Sequence, residues 1–286
     1  MRFAKLHGYG NDYIVIEADQ LAGIGSLSEF VRRICHRHCG AGAVGVMLVE
    51  KLSTESGDFA VRIFNPDGSE AAMSGNGTRC AAAYLYYQKL WSKEELRLST
   101  RAGVKLYRLR DRLGEGRYRF EAEIGKPLFE SAAIPMLLDG PLPEVKNFPL
   151  AVGGGETISV TALQMCNPNC CVFVDDFETI DWRRLGRIIE SHPQFPERTN
   201  VEFVRVRDRE HVEVRVWERG VGETLSSGTG ACASAVASAF NNLTDRRVSV
   251  EMPGGLLEVE WRDDGEVLLT GTAEMIYVGE WIDWKN

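Results

Sequence analysis

Short apolar runs and period-two alternation dominate the chain. Arg2–Leu6 and Asp12–Glu17 read as strands, and Val44–Glu50 and Phe59–Phe64 as buried strands. Glu95–Ser99, Gly103–Arg108 and Arg117–Glu123 alternate apolar with polar, the period of a half-buried strand. A helix is predicted from Ser26, because Ser26-Leu27-Ser28-Glu29 has capping-box spacing, and a second over Gly77–Lys89, rich in alanine and aromatics. Pro127, Pro135, Pro141, Pro143 and Pro149 then break any long element, which predicts a boundary. Beyond it come strands at Thr157–Leu163 and Cys170–Val174, a helix at Trp182–Ser191, and strands at Val201–Arg207 and His211–Trp217. A small-residue helix follows at Gly230–Asn241, then strands at Val248–Met252, Leu256–Trp261 and Val267–Val278. The pattern predicts an α+β fold, repeated, with one long helix per half. Its parts are residues 1–125, a linker at 126–148 and a second part at 149–272, with a last strand at about 273–286 returning to the first.

The two long helices begin alike. Ser74-Gly75-Asn76-Gly77 opens one and Ser227-Gly228-Thr229-Gly230 the other, and nine residues before each serine stands a polar signature, Asn65-Pro66-Asp67-Gly68 or Glu218-Arg219-Gly220. One Ser-Gly-x-Gly is an ordinary capped helix start. Two with matched upstream signatures predict an internal repeat that turns two helix N-termini on one small acid. Unpaired N–H groups and partial positive charge hold a carboxylate there, and glycine lets it come close.

Composition narrows the classes. The chain has 286 residues, 44% hydrophobic and 26% charged, enough apolar material for two cores. A net charge of −8, with no basic stripe, argues against a nucleic-acid partner. No apolar stretch is long enough to span a membrane, and the opening residues turn polar too soon for a signal peptide. Seven cysteines without a framework read as free thiols in a reducing cytoplasm. Cys35-His36-Arg37-His38-Cys39 has metal-ligand residue types, but its spacing is that of no finger or ribbon, so no metal is expected. Tyr84, Tyr86 and Tyr87 read as helix packing.

Several longer motifs carry a resemblance. Lys5-Leu6-His7-Gly8-Tyr9-Gly10-Asn11-Asp12-Tyr13 and Phe64-Asn65-Pro66-Asp67-Gly68-Ser69-Glu70 resemble signatures of the diaminopimelate epimerase family. So do Gly75-Asn76-Gly77-Thr78-Arg79-Cys80, Asn200-Val201-Glu202-Phe203, Glu218 through Thr224, and Gly228-Thr229-Gly230-Ala231-Cys232-Ala233, in the family's order. The resemblance implies two pseudo-symmetric lobes, each a mixed sheet wrapped around a central helix, with the active site in the cleft between them. It implies an isomerase that inverts an amino-acid α-carbon without pyridoxal phosphate, metal or other cofactor, in lysine and cell-wall precursor synthesis. One cysteine thiolate takes the α-proton and a second thiol delivers another from the opposite face. A helix N-terminus favours that thiolate. The distal end of the substrate falls to Asn11, Asn65, Asn167, Asn200, Glu218 and Arg219, and the reacting carboxylate to the main chain at Gly75, Asn76, Gly228 and Thr229. The partner implied is a small-molecule amino acid; the family often dimerises, but no interface is legible.

The departures are specific. Ser74 and Ser227 occupy the two cysteine positions. A hydroxyl is a far weaker acid than a thiol, so the resemblance implies binding with proton transfer largely lost. Cys80 and Cys232 lie six and five residues further on and cannot substitute. Asn169 stands where the family has a histidine, and Val44 where it has an aspartate. Three readings stay open: a substrate-trapping epimerase, whether by design or by nature; a racemase of another amino acid, such as histidine; or a non-catalytic amino-acid-binding paralogue.

Overall fold

The structure is a computed structural model that describes residues 1–53 and 57–282; the end of the predicted last strand, residues 283–286, lies outside the described residues. The chain divides into two compact units, Met1–Ala122 with the chain from Gly271, and Glu123–Thr270. Both are sheet-rich and mixed, an α+β fold.

The first unit runs β1 (Arg2–Gly8), β2 (Asn11–Glu17), α1 (Leu27–Cys35), β3 (Gly45–Lys51), β4 (Phe59–Phe64) and the short β5 (Glu70–Ala71). It continues through α2 (Gly75–Tyr87), β6 (Glu95–Thr100), β7 (Gly103–Gly114) and β8 (Arg117–Gly125). The pairs β2/β3 and β4/β6 are parallel, while β1/β2, β3/β4 and β6/β7 are antiparallel. Parallel neighbours need a crossover, and α1 and α2 supply the two. Ser26 caps α1 by accepting from the Glu29 amide at 3.3 Å, and the helix buries Phe30, Val31, Ile34 and Cys35 against Ile14, Ile16, Val46 and Leu48. Helix α2 is different: every residue from Asn76 to Tyr86 is buried, so it is the core of its sheet rather than a surface helix.

The second unit holds β9 (Val145–Gly153), β10 (Glu156–Gln164), β11 (Pro168–Phe173), α3 (Trp182–Glu190), β12 (Asn200–Val206), β13 (His211–Glu218) and β14 (Gly222–Thr224). Then come α4 (Gly228–Phe240), β15 (Arg247–Met252), β16 (Gly255–Trp261) and β17 (Val267–Glu280). Here β11/β12 and β13/β15 are parallel, and β10/β11, β12/β13 and β15/β16 antiparallel. From β10 to β16, order and sense repeat those of β1 to β7. Helix α4 is built from Gly, Ala, Ser, Thr, Cys and Val up to Phe240 and is buried along nearly its whole length. Small side chains let the strands close on it from several sides.

Three sequence expectations shift. The predicted linker at 126–148 is not a spacer: Ile134, Met136 and Val145 lie in the core of the second unit with Trp182, Leu185 and Ile189. Its prolines hide a strand, since β9 carries Pro149 opposite Ser159 in a ladder that shifts register at two points. Both long helices also start two residues before the predicted Gly77 and Gly230, because the capping serines bring the intervening residues into the first turn. The seven cysteines are free, and among the described residues no helix is long and apolar enough to cross a membrane.

Candidate active site

Ser74 and Ser227 are both N-caps, each with extended backbone, φ −148° and −133°. Ser74 Oγ accepts from the Gly77 amide at 3.2 Å, and Ser227 Oγ from the Gly230 amide at 3.2 Å. The first helical bonds run from Thr78 N to Ser74 O and from Ala231 N to Ser227 O, both 2.9 Å. The amides of Gly75, Asn76, Gly228 and Thr229 precede them and so belong to the unpaired donors of a helix start. In each unit this makes a positive end suited to a carboxylate.

The surroundings of the two caps differ. In the first unit the Tyr13 phenol lies 2.8 Å from Ser74 Oγ. Thr78 Oγ1 donates to Ser74 O at 2.7 Å and shares a 2.5 Å contact with the Tyr107 hydroxyl. Arg79 is buried, donates to Thr272 O at 3.0 Å and to Asn76 Oδ1, and stacks 5.5 Å from the centre of the Tyr9 ring. Asn65 is exposed and donates to Ser69 Oγ at 3.0 Å, while Asn11 shares the β2 face of Tyr13 by strand alternation.

In the second unit Ser227 is only 5% exposed, and its amide donates to Met252 Sδ at 3.4 Å. The predicted binding residues here form a connected chain. Asn169 Nδ2 donates to Asn167 O at 2.6 Å and to Asn167 Oδ1 at 3.0 Å. Asn200 Nδ2 donates to Asn169 Oδ1 at 3.3 Å, and the Arg219 amide to Asn200 Oδ1 at 2.9 Å. The Arg219 guanidinium is exposed and donates to Glu197 O at 3.0 Å. Glu218 accepts from Thr224 Oγ1 at 2.6 Å; burial holds its carboxyl above the ordinary carboxylate range, with that hydroxyl opposing. Asn169 is thus fixed by its neighbours on both sides.

Cys80 and Cys232 are fully buried inside their helices, and burial pushes the Cys80 thiol up to about 12. Neither can stand in for the caps. Around the Cys35–Cys39 stretch, His36 Nδ1 is occupied by the amides of His38 and Cys39. Among the described residues no group of three or more His, Cys, Asp or Glu is placed to hold a metal ion.

Sequence reasoning passes over three residues beside the caps: Tyr13, Arg79 and Glu202. The signal for Glu202 is an acid inside the apolar run Val201-Glu202-Phe203-Val204. It is fully buried on β12, and its Oε1 has no hydrogen-bond partner.

The family model described as diaminopimelate epimerase matches residues 3–126 and 161–276. The chain is 42% identical over 283 residues to the diaminopimelate epimerase of Pelotomaculum thermopropionicum, covering 98% of this chain and 99% of that one. It is 43% identical over 283 residues to that of Desulforudis audaxviator, covering 99% of each. Among solved structures, a phenazine biosynthesis protein of the PhzF family from Bacillus anthracis matches with a TM-score of 0.70 at 18% identity, over 99% of both chains. A hydroxyproline epimerase from Agrobacterium vitis matches with a TM-score of 0.69 at 15% identity, over 98% of this chain and 90% of that one. At those identities the structures speak for the fold alone.

Proposed function

The chain belongs to the diaminopimelate epimerase family, a family of isomerases, and from that premise we propose that it binds diaminopimelate while epimerising it very slowly. The observation that carries this reading is the identical capping of α2 and α4 by serine, with Oγ 3.2 Å from the third helical amide in both. On this reading the two units are the pseudo-symmetric lobes that the resemblance implies, and one ligand is served by both helix ends. The amides of Gly75, Asn76, Gly228 and Thr229 hold the carboxylate of the reacting end. The same dipoles stabilise the charge that grows there when the α-proton leaves. Asn11, Asn65, Asn167, Asn200, Glu218 and Arg219 recognise the distal end. Arg219 offers a planar fork to its carboxylate and Glu218 an acceptor to its ammonium.

What the chain lacks is the acid–base pair. A thiol of ordinary pKa near 8.5 comes within reach of neutral pH at a helix N-terminus. A serine hydroxyl does not, so Ser74 and Ser227 keep the shape of the site and lose its proton transfer.

The test is α-proton exchange into deuterated water with L,L-diaminopimelate. We expect near silence from the chain itself and clear exchange from Ser74→Cys/Ser227→Cys. Silence in both folded proteins would overturn the reading. Two rivals are told apart from it: a racemase of another amino acid would prefer lysine or histidine to diaminopimelate in a ligand panel, and a binding paralogue would bind tightly and gain no exchange from the cysteines.

A further inference from the structure

Position 227 has a neighbour that the fold does not require. Strands β3 and β12 occupy the same place in the two repeats: Gly45 pairs with Tyr13, and Asn200 with Asn169. Two residues further on, Met47 and Glu202 each lie under the first turn of the central helix. A Cβ on Gly77 would sit 2.1 Å from Met47 Cε and 3.2 Å from Ser74 Oγ. A Cβ on Gly230 would sit 3.1 Å from Glu202 Oε1 and 3.2 Å from Ser227 Oγ. One unit fills that space with a thioether, the other with a carboxyl group, and both helices form. Packing therefore gives no reason for an acid at 202.

The carboxyl is also incompletely partnered. Glu202 is fully buried, its Oε2 accepts from Cys171 Sγ at 3.8 Å, and its Oε1 has no partner. A buried charge without a counter-ion is costly, so the group takes up a proton instead. The groups acting on it are Cys170 and Cys171 on β11 and Glu218 on β13, with Ser227 and Gly230 facing it from α4. None of these is a cation. Burial raises this carboxyl well above its ordinary value and the Glu218 charge adds to that; the Cys171 thiol and the amides of Cys170 and Glu202 oppose it. Since Oε2 receives the thiol, the acidic proton belongs on Oε1, the oxygen that shares with Ser227 Oγ the space around Gly230, where no hydrogen bond joins the two.

We propose that Glu202 is a positioning residue for position 227, a neutral carboxylic acid whose Oε1 proton is donated to the side-chain heteroatom there. In this chain that bond would take up a lone pair of Ser227 Oγ and leave the hydroxyl proton free to turn toward a ligand. With a thiol at 227 it would stabilise the thiolate, alongside the Gly230 amide. The inference rests on reading 227 as a proton-transfer position, but its test needs neither substrate nor turnover.

The experiment titrates the introduced thiol in the full-length Ser227→Cys protein by the difference in far-ultraviolet thiolate absorbance from the parent chain. Mass-resolved alkylation of the peptide that carries position 227 repeats the measurement, with exposed Cys39 as internal control. Adding Glu202→Met, the residue of the other repeat, is expected to raise the pKa of the thiol at 227 by about one unit and slow its alkylation near neutral pH about tenfold. Adding Glu202→Gln, which keeps a donor, is expected to leave it within about a factor of two. An unmoved thiol pKa in a folded Met variant would overturn the proposal. So would a fall in pKa with Gln, which would show that Glu202 is an anion facing the thiol. Should the Met variant not fold, the Gln variant decides alone, an unmoved pKa supporting the proposal and a fall rejecting it. Exchange on diaminopimelate tests the functional reading separately.

Discussion

The starts of α2 and α4 have the same cap, the same glycines and the same buried helix, yet opposite local chemistry. Ser74 meets a phenol, and a buried guanidinium follows in its helix; behind Gly230, in the helix that Ser227 caps, lies a carboxyl without a counter-ion that meets a thiol. Arg79 occupies the helical position that Cys232 fills in the other repeat, and Met47 the strand position of Glu202. Backbone geometry alone thus leaves a positive helix end twice, while the side chains one layer behind it differ between the two. A two-base reaction needs such inequality, because its two groups must hold opposite protonation states at any moment.

The strongest way to sharpen that contrast is to return one thiol at a time. Ser74→Cys and Ser227→Cys are each expected to exchange the α-proton at least about 100-fold more slowly than the double variant, and to differ in the isomer they act on. Deuterium incorporation from L,L- and meso-diaminopimelate, followed by mass spectrometry, checks both points.

Exchanging the two buried strand residues tests the inequality through stability. Met47→Glu places an acid beside Gly77 with no thiol to meet it and is expected to cost about 3 kcal/mol or more by urea denaturation. Glu202→Met is expected to be neutral or stabilising, because it removes a buried polar group that lacks a full set of partners. Its benefit should depend on pH with a definite sign. The folded-state value of Glu202 lies above the ordinary 4.5, so the native protein binds the extra proton. Stability is then lost as pH rises from about 4.5 toward the folded value, at up to about 1.4 kcal/mol per unit. The gain from Glu202→Met should accordingly grow between pH 5 and 7, and equal gains at about pH 5 and 7 would contradict a protonated native carboxyl.

The smallest effect expected is that of Tyr13→Phe. It removes the 2.8 Å contact at Ser74 and should cost about 0.5–1.5 kcal/mol by urea denaturation.

Much of this is legible in the chain, and the remainder is not for identifiable reasons. Ser74 and Ser227 announce themselves because capping is local: the acceptor and its amide are three residues apart. The strand patterns are equally local, and the apolar run Phe59–Phe64 matches β4 to the residue. Strand β9 escapes because Pro149 is a breaker in sequence and a strand residue in a ladder that tolerates it. The environment of Ser227 depends on register between β12 and α4, some thirty residues apart. No local pattern states that Glu202 lies beneath Gly230, so an acid in an apolar run stays an oddity. The buried Arg79 is likewise explained by Thr272, far along the chain.

Strand β17 has a consequence for how the molecule is made. Its early residues complete the sheet of the second unit against β16, and its later ones, Glu274 to Glu280, lie alongside β1. The Met1 amine donates to Trp281 O at 3.0 Å, just past the end of β17. During synthesis the second unit, one continuous stretch, has all its strands as soon as Thr270 emerges. The first unit was begun earlier but must wait with β1 bare on one side until Glu274 to Glu280 arrive. The half translated first is therefore finished last.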